Sequence, residues 1–266
     1  DAADRLTANT ADEADQLVRL YGADPGRVSI VPPGVDLEVF TPGDQGEARR
    51  RLGLPPHARI VTFVGRIQPL KAPDILVKAA RLVLDRHPEW HADDLVIGIL
   101  GGPSGTGLAR PTELHDLVTG LDLTEHVRFV PPADRLTLAD WYRASDLVAV
   151  PSYSESFGLV AIEALACGTP VVAAAVGGLP TAVGPGGVLV HTHDIGDWAA
   201  AIDGLLHTPD ERKRLSGNAV RHAARFGWDA TTDRLLTAYG DACRTRTPSP
   251  ISDSALLLGV PALVIP

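Results

Sequence analysis

The chain has 266 residues, 45% apolar and 21% charged, a composition that supports a buried core and excludes an intrinsically disordered protein. A net charge of −9 excludes a surface that gathers nucleic acid or anionic lipid by long-range attraction, so a bound phosphate must be held locally. Two cysteines, Cys167 and Cys243, without metal-ligand spacing exclude a disulfide scaffold or zinc module; a reducing cytoplasm is expected, and no apolar run is long enough to span a membrane.

In chain order, short β-branched runs alternate with helical patterns, as in βαβ units around a parallel sheet. A helix is expected over Ala11–Tyr21, stopped by Gly22, and a strand over Arg27–Val31. The run VPPGVDLEVFTP, Val31 to Pro42, holds three prolines and a glycine and reads as a linker or hinge. A helix follows over Gln45–Leu52, then a strand Ile60–Val64 and a helix Pro73–Arg86. Strands at Leu95–Leu100 and Val127–Val130 flank a helix over Thr112–Thr119. Next come a helix Leu136–Ala144, a strand Leu147–Val150, a helix Leu159–Ala166, and strands Pro170–Ala173 and Gly187–Val190. Helices over Ile195–Leu206, Asp210–Arg225 and Asp229–Arg244 complete the pattern, and the tail 247–266 is unassigned.

Open α/β sheets bind ligands outside the carboxyl ends of their strands. After Val64, Arg66 and Lys71 precede a helix with Pro73 in its first turn. A guanidinium fork, an ammonium and helix amides suit a diphosphate, although two solvated surface charges fit the spacing equally well. After Val150 a polar loop carries Glu155 into a helix that begins near Gly158. Glu163 shares the face of Leu159, about 6 Å along the axis. That places a diphosphate at the helix start and a ribose one turn on, where a carboxylate accepts from both hydroxyls. The alternatives are an exposed helix acid for Glu163 and a solvated loop acid for Glu155. The stretch Val176–Pro180 reads as a tight turn near a ligand or a simple turn, and Gly101–Gly105 as a flexible flap or a long connection. His191 and His193 read as a surface loop and Cys167 as core packing.

The runs SESFGLVAIEALACGTPVV, VGRIQPLKAPD and VPPGVDLEVFTP resemble the family 4 retaining glycosyltransferases of GT-B fold. Within that family, ANTADEADQLVRLYGADPGRV and VPSYSESFGLVAIEALACGTPVVAAAVGGL are similar to transferases of the mycothiol pathway of actinobacteria. The resemblance implies a Rossmann-like parallel sheet flanked by helices, the C-terminal domain of a GT-B enzyme. Residues 1–32 would be the end of the N-terminal domain and a crossing strand, and 33–246 the nucleotide-sugar-binding domain. The rest of the N-terminal domain would precede Asp1. It implies a UDP-sugar donor, UDP-N-acetylglucosamine, and an inositol phosphate acceptor, 1D-myo-inositol 3-phosphate, reached through the other domain; a homodimer is a further expectation. Arg66 and Lys71 would bind the diphosphate, Glu163 the ribose and Glu155 the transferred sugar. The amides of Phe157, Gly158, Leu159 and Val160 would take the distal phosphate, and the loop from Arg128 to Ala133 the uracil. No cofactor is required for the chemistry, but a structural Mg2+ is implied at Tyr142, Arg143, Ser145 and Thr169. Two other readings are a donor-binding module inactive by itself and a family 4 transferase with another sugar or acceptor. A dinucleotide oxidoreductase is disfavoured because no GxGxxG follows a first strand.

Overall fold

The computed structural model describes residues 3–102 and 112–245. Pro103, Ser104 and Gly105 of the glycine-rich stretch, and the tail 247–266, lie outside the described residues.

The first unit is a small βαβ. Strand β1 (Leu6–Ala8) pairs in parallel with β2 (Val28–Ile30), and α1 (Ala11–Tyr21) connects them. Thr10 caps α1 by accepting from the Glu13 amide, while the Glu13 carboxylate accepts from Asn9, a reciprocal cap readable in the sequence. Gly22 takes the left-handed conformation that closes it. The run from Val31 to Pro42 forms neither helix nor strand, but it is packed rather than free. Val31, Val35 and Phe40 are buried. The Val35 amide donates to Phe226 at 2.8 Å, and Pro32 accepts from the Thr231 hydroxyl at 3.0 Å.

The main unit is built on β3 (Arg59–Val64), β4 (Leu95–Leu100), β5 (Val127–Val130), β6 (Leu147–Val150), β7 (Val171–Ala174) and β8 (Gly187–Val190). All pair in parallel, in the order β5-β4-β3-β6-β7-β8. This is the doubly wound order, whose direction of growth reverses between β3 and β6. LVIGIL, LVAV and VVAA are apolar throughout because these strands are covered on both faces, and every residue of β4, β6 and β7 is buried. Alternation still sorts the strands: Val61, Phe63, Ile97 and Ile99 enter the larger core, while Ile60, Val96 and Leu100 enter a second one under Trp141.

The helices are α2 (Gln45–Arg51), α3 (Pro73–Arg86), α4 (Glu113–Gly120), α5 (Arg135–Ala144), α6 (Leu159–Ala166), α7 (Leu179–Val183), α8 (Ile195–Leu206), α9 (Pro209–Ala223) and α10 (Trp228–Thr245). Helix α2 packs on α5, α3 on α8 and α6 on α9. Arg49 of α2 is buried and holds this layer to the sheet. It donates to the Ala144 and Pro56 carbonyls and pairs with Asp146 at 3.0 Å, and the same Asp146 oxygen accepts from the Ile60 amide. Two elements differ from the sequence reading. Strand β1 has only three residues and exists through its ladder to β2. Helix α7 begins at Leu179, where Gly178 and Pro180 suggest a simple turn; Pro180 instead occupies a first-turn position that needs no amide.

Candidate donor-binding site

The carboxyl ends of β3 and β6, on either side of the switch point, carry the loops that hold Arg66, Lys71 and Glu155. These loops are tied together by main chain: the Tyr153 amide donates to the Leu70 carbonyl at 2.9 Å, and the Glu155 carbonyl accepts from Gly178 at 2.9 Å. Gly177 lies at φ +52, and a Cβ there would stand 2.0 Å from the Glu155 carbonyl oxygen, so this approach needs glycine.

Lys71 and Glu155, 84 residues apart, form an ion pair at 2.5 Å with both side chains half-buried. Ser152, itself buried, places its hydroxyl 3.4 Å from the same Glu155 oxygen. Glu155 is therefore a held loop acid, and Lys71 is a cation already partnered by protein. Arg66 is exposed and has no ion-pair or hydrogen-bond partner among the described residues. It lines a cleft of about 240 Å³ with Gly65, Gly101, Pro132, Ala133 and Leu138. Ala133, expected near the base, shares this cleft. Arg128, at the other end of the expected base loop, does not; it lies in β5 and donates to the Gly53 carbonyl.

Helix α6 starts at Gly158, whose φ is +107, and a Cβ at this position would lie 2.6 Å from the Leu179 side chain. The amides of Phe157, Gly158, Leu159 and Val160 have no hydrogen-bond partner among the described residues. Free amides at a helix start form an anion cradle. Phe157 is buried against Phe226, with ring centroids 5.5 Å apart, which fixes the cradle to the turn before α10.

One turn along α6, Glu163 is half-buried and accepts from the Tyr142 hydroxyl at 2.8 Å. Burial raises its carboxyl above the ordinary value near 4.5, opposed by the Tyr142 bond and the field of Arg135. Burial, then Glu163 itself, hold the Tyr142 phenol well above its ordinary range, so it stays a donor. The pair Tyr142–Glu163 resolves the alternatives: the acid is neither fully exposed nor unpartnered.

The positions named for Mg2+ gather at the end of α5, where the Tyr142 and Ser145 oxygens already take part in hydrogen bonds. Tyr142 accepts from the Thr169 hydroxyl at 2.6 Å and from the Ser145 amide, and the Ser145 hydroxyl is shared between Trp141 and Thr62. The Ser145 carbonyl accepts from Gln45, and the Arg143 guanidinium spans Val39, Thr41 and Asp140. This is a hydrogen-bonded helix cap beside a guanidinium.

Sequence reasoning missed three contributors. Arg135 imposes its field on Glu163. Ser152 sits beside Glu155; its signal is that a serine directly after a buried strand is itself buried. His193 stacks on Tyr153 with centroids 4.2 Å apart and donates to the Ser152 carbonyl at 3.2 Å, bracing the Glu155 loop. His191 is exposed. Burial pushes the Cys167 thiol up to about 12, as befits an inert core residue, and Cys243 is free and exposed. Among the described residues no helix is long and apolar enough to cross a membrane.

Comparison with known proteins places this site in context. A family model described as "Glycosyl transferases group 1" matches residues 44–222. The chain is 61% identical over 241 residues to D-inositol 3-phosphate glycosyltransferase 2 of Catenulispora acidiphila, covering 90% of this chain and 56% of that protein. It is 31% identical to sucrose-phosphate synthase from Thermosynechococcus elongatus, with a TM-score of 0.77 over 92% of this chain and 59% of that one. A likeness of fold joins it to Anabaena Alr3699/HepE, solved in complex with UDP and glucose, at 24% identity and a TM-score of 0.78, covering 90% of this chain and 63% of that one. The chain spans about half the length of the curated relatives it matches. On the extent of the family match and the identity to these relatives, the chain belongs to the glycosyl transferases group 1 family.

Proposed function

We propose that this chain is the donor-binding half of a retaining transferase that moves N-acetylglucosamine from UDP-N-acetylglucosamine to 1D-myo-inositol 3-phosphate. The observation that carries donor binding is α6: four unpartnered amides at its start and, one turn on, a carboxylate steadied by Tyr142. The diphosphate would lie on those amides with Arg66 beside it, the ribose on Glu163 and the uracil in the cleft by Ala133. The acceptor rests on the name of the D-inositol 3-phosphate glycosyltransferases. UDP-N-acetylglucosamine as donor follows from the sequence resemblance to mycothiol-pathway transferases.

As the bond from the sugar carbon to the UDP oxygen loosens, negative charge grows on the leaving diphosphate. Arg66 and the α6 amides stand where that charge develops, and preorganised donors there lower the barrier. Lys71 reaches the phosphates while sharing its ammonium with Glu155, which it holds beside the sugar hydroxyls. Neither glutamate serves as a nucleophile, and no step passes through a metal.

The remainder of the transferase would pack on the first βαβ and α10. Leu20, Tyr21, Trp228, Leu236 and Tyr239 are exposed there, a concentration of large apolar side chains that solvent alone does not explain. Residues 1–32 then belong with the other domain and 33–246 form the donor domain. Calorimetry of the chain with UDP and with uridine tests the site. Arg66→Ala is expected to weaken UDP by about 1.5–3 kcal/mol and to leave uridine nearly unchanged; equal loss for both ligands removes Arg66 from the phosphate.

A further inference from the structure

We propose that His87, Asp203 and His207 form a binding site for a divalent transition metal of the zinc class, at the end of the sheet remote from the donor loops. The geometry is that of two element ends brought to one point. His87 follows α3, Asp203 lies in the last turns of α8, and His207 follows that helix. One ligand atom from each side chain lies within 4.8 Å of the other two. The Asp203 Oδ1 atom is 2.9 Å from His87 Nε2 and 3.0 Å from His207 Nδ1, so both imidazole edges face one carboxylate oxygen. Asp203 and His207 are four residues apart on one helix face, a spacing that lets a helix offer two ligands to one ion.

The surroundings supply what a metal site requires beyond its ligands. Glu89 lies 3.5 Å from His87 Nδ1, where its carboxylate faces an Nδ1–H and leaves Nε2 to the metal. Arg86 lies 3.4 Å from Asp203 Oδ2, the other oxygen, and leaves Oδ1 to the ion. The rings are held rather than loose: His87 stacks on Trp90, at 4.2 Å, and on His207, at 4.5 Å, Trp90 and His207 are 5.3 Å apart, and Arg59 covers Trp90 at 4.0 Å. His87 and Asp203 are mostly buried, whereas the His207 side chain is 43% exposed, which leaves room for solvent to complete a tetrahedral set. The ion would replace the hydrogen bonds that His87 now makes with the Asp203 carboxylate and His207 with the Asp203 carbonyl, tying the end of α3 to α8.

Titration calorimetry of the whole chain with ZnCl2, in metal-free buffer without phosphate, tests this. One site of micromolar affinity is expected, together with a rise in Tm that EDTA reverses; absence of both overturns the site. Asp203→Asn and His207→Gln should each weaken binding by roughly tenfold or more, with folding checked by circular dichroism. The double change His191→Ala and His193→Ala should leave the site intact, and loss of binding there would move the metal to that pair. Titration with CoCl2 gives a readout that needs no variant: intense visible absorption of four-coordinate cobalt supports the site, and only the weak spectrum of hydrated cobalt refutes it.

Discussion

At the scale of single residues, Glu163 is the most informative side chain. A carboxyl raised by burial keeps its proton to higher pH in the folded state than in the unfolded one. Its contribution to stability is therefore complete below about 4.5 and is lost as pH rises through the folded-state value. At neutral pH the ionised acid costs stability, which fits a residue placed for a ligand. Glu163→Gln should raise Tm at pH 7 with little effect at pH 4, and a variant less stable than wild type at pH 7 would contradict this. In the same variant uridine should bind more weakly, by about 1.5–3 kcal/mol for one lost charged hydrogen bond. Wild-type uridine affinity should rise with pH above 4.5 and the variant's should stay flat. Uridine is the proper probe because it lacks a titrating phosphate. That Glu163 needs a partner was readable from one acid in an apolar helix; that Tyr142 is that partner was not, because the two residues, 21 apart, lie on different helices. The Lys71–Glu155 pair was hidden for the same reason, since partners 84 residues apart leave no local spacing.

At the scale of elements, close approaches of backbone carry the site. Gly158→Ala must hold a left-handed conformation at φ +107 and push on Leu179, a loss of about 1–3 kcal/mol. Gly177→Ala meets main chain rather than a side chain, so it should displace the Glu155 loop and reduce UDP binding as well as stability. Urea unfolding and UDP calorimetry on both variants separate the effects: Gly177→Ala with wild-type UDP affinity would show the loop to be independent of its neighbour. Arg49→Ala should cost about 3–5 kcal/mol, because it leaves Asp146 buried without its partner; a smaller change in urea would mean that Arg212, 3.9 Å from Asp146, takes over. Most elements were legible before any coordinates, since helix stops have local causes and buried parallel strands read as unbroken apolar runs. Strand β1 and helix α7 were not, one made by pairing and the other disguised by glycine and proline.

At the scale of the whole molecule, the main sheet unit and the first βαβ are joined by the packed run from Val31 to Pro42. The bonds from Val35 to Phe226 and from Thr231 to Pro32 tie that run to the turn before α10 and to α10 itself. Incubating this chain with UDP-N-acetylglucosamine and inositol phosphate is expected to give no product, while UDP binds. Product formed by the chain alone would show that the acceptor site lies within these residues. A net charge of −9 leaves phosphate binding to local donors, and the proposed donors are local: the Arg66 guanidinium, the Lys71 ammonium and the start of α6.

The order β5-β4-β3-β6-β7-β8 has a mechanical consequence. Strands β3 and β4 pair along six residues, whereas β3 and β6 pair only at Val61 with Leu147 and Thr62 with Val148. The sheet thus has a short seam at its centre, and the proposed site lies across its open end, with Arg66 on one bank and the α6 amides on the other. A diphosphate held from both banks would act as a rivet, so the amides of β3 and β6 should exchange hydrogen more slowly once UDP is bound.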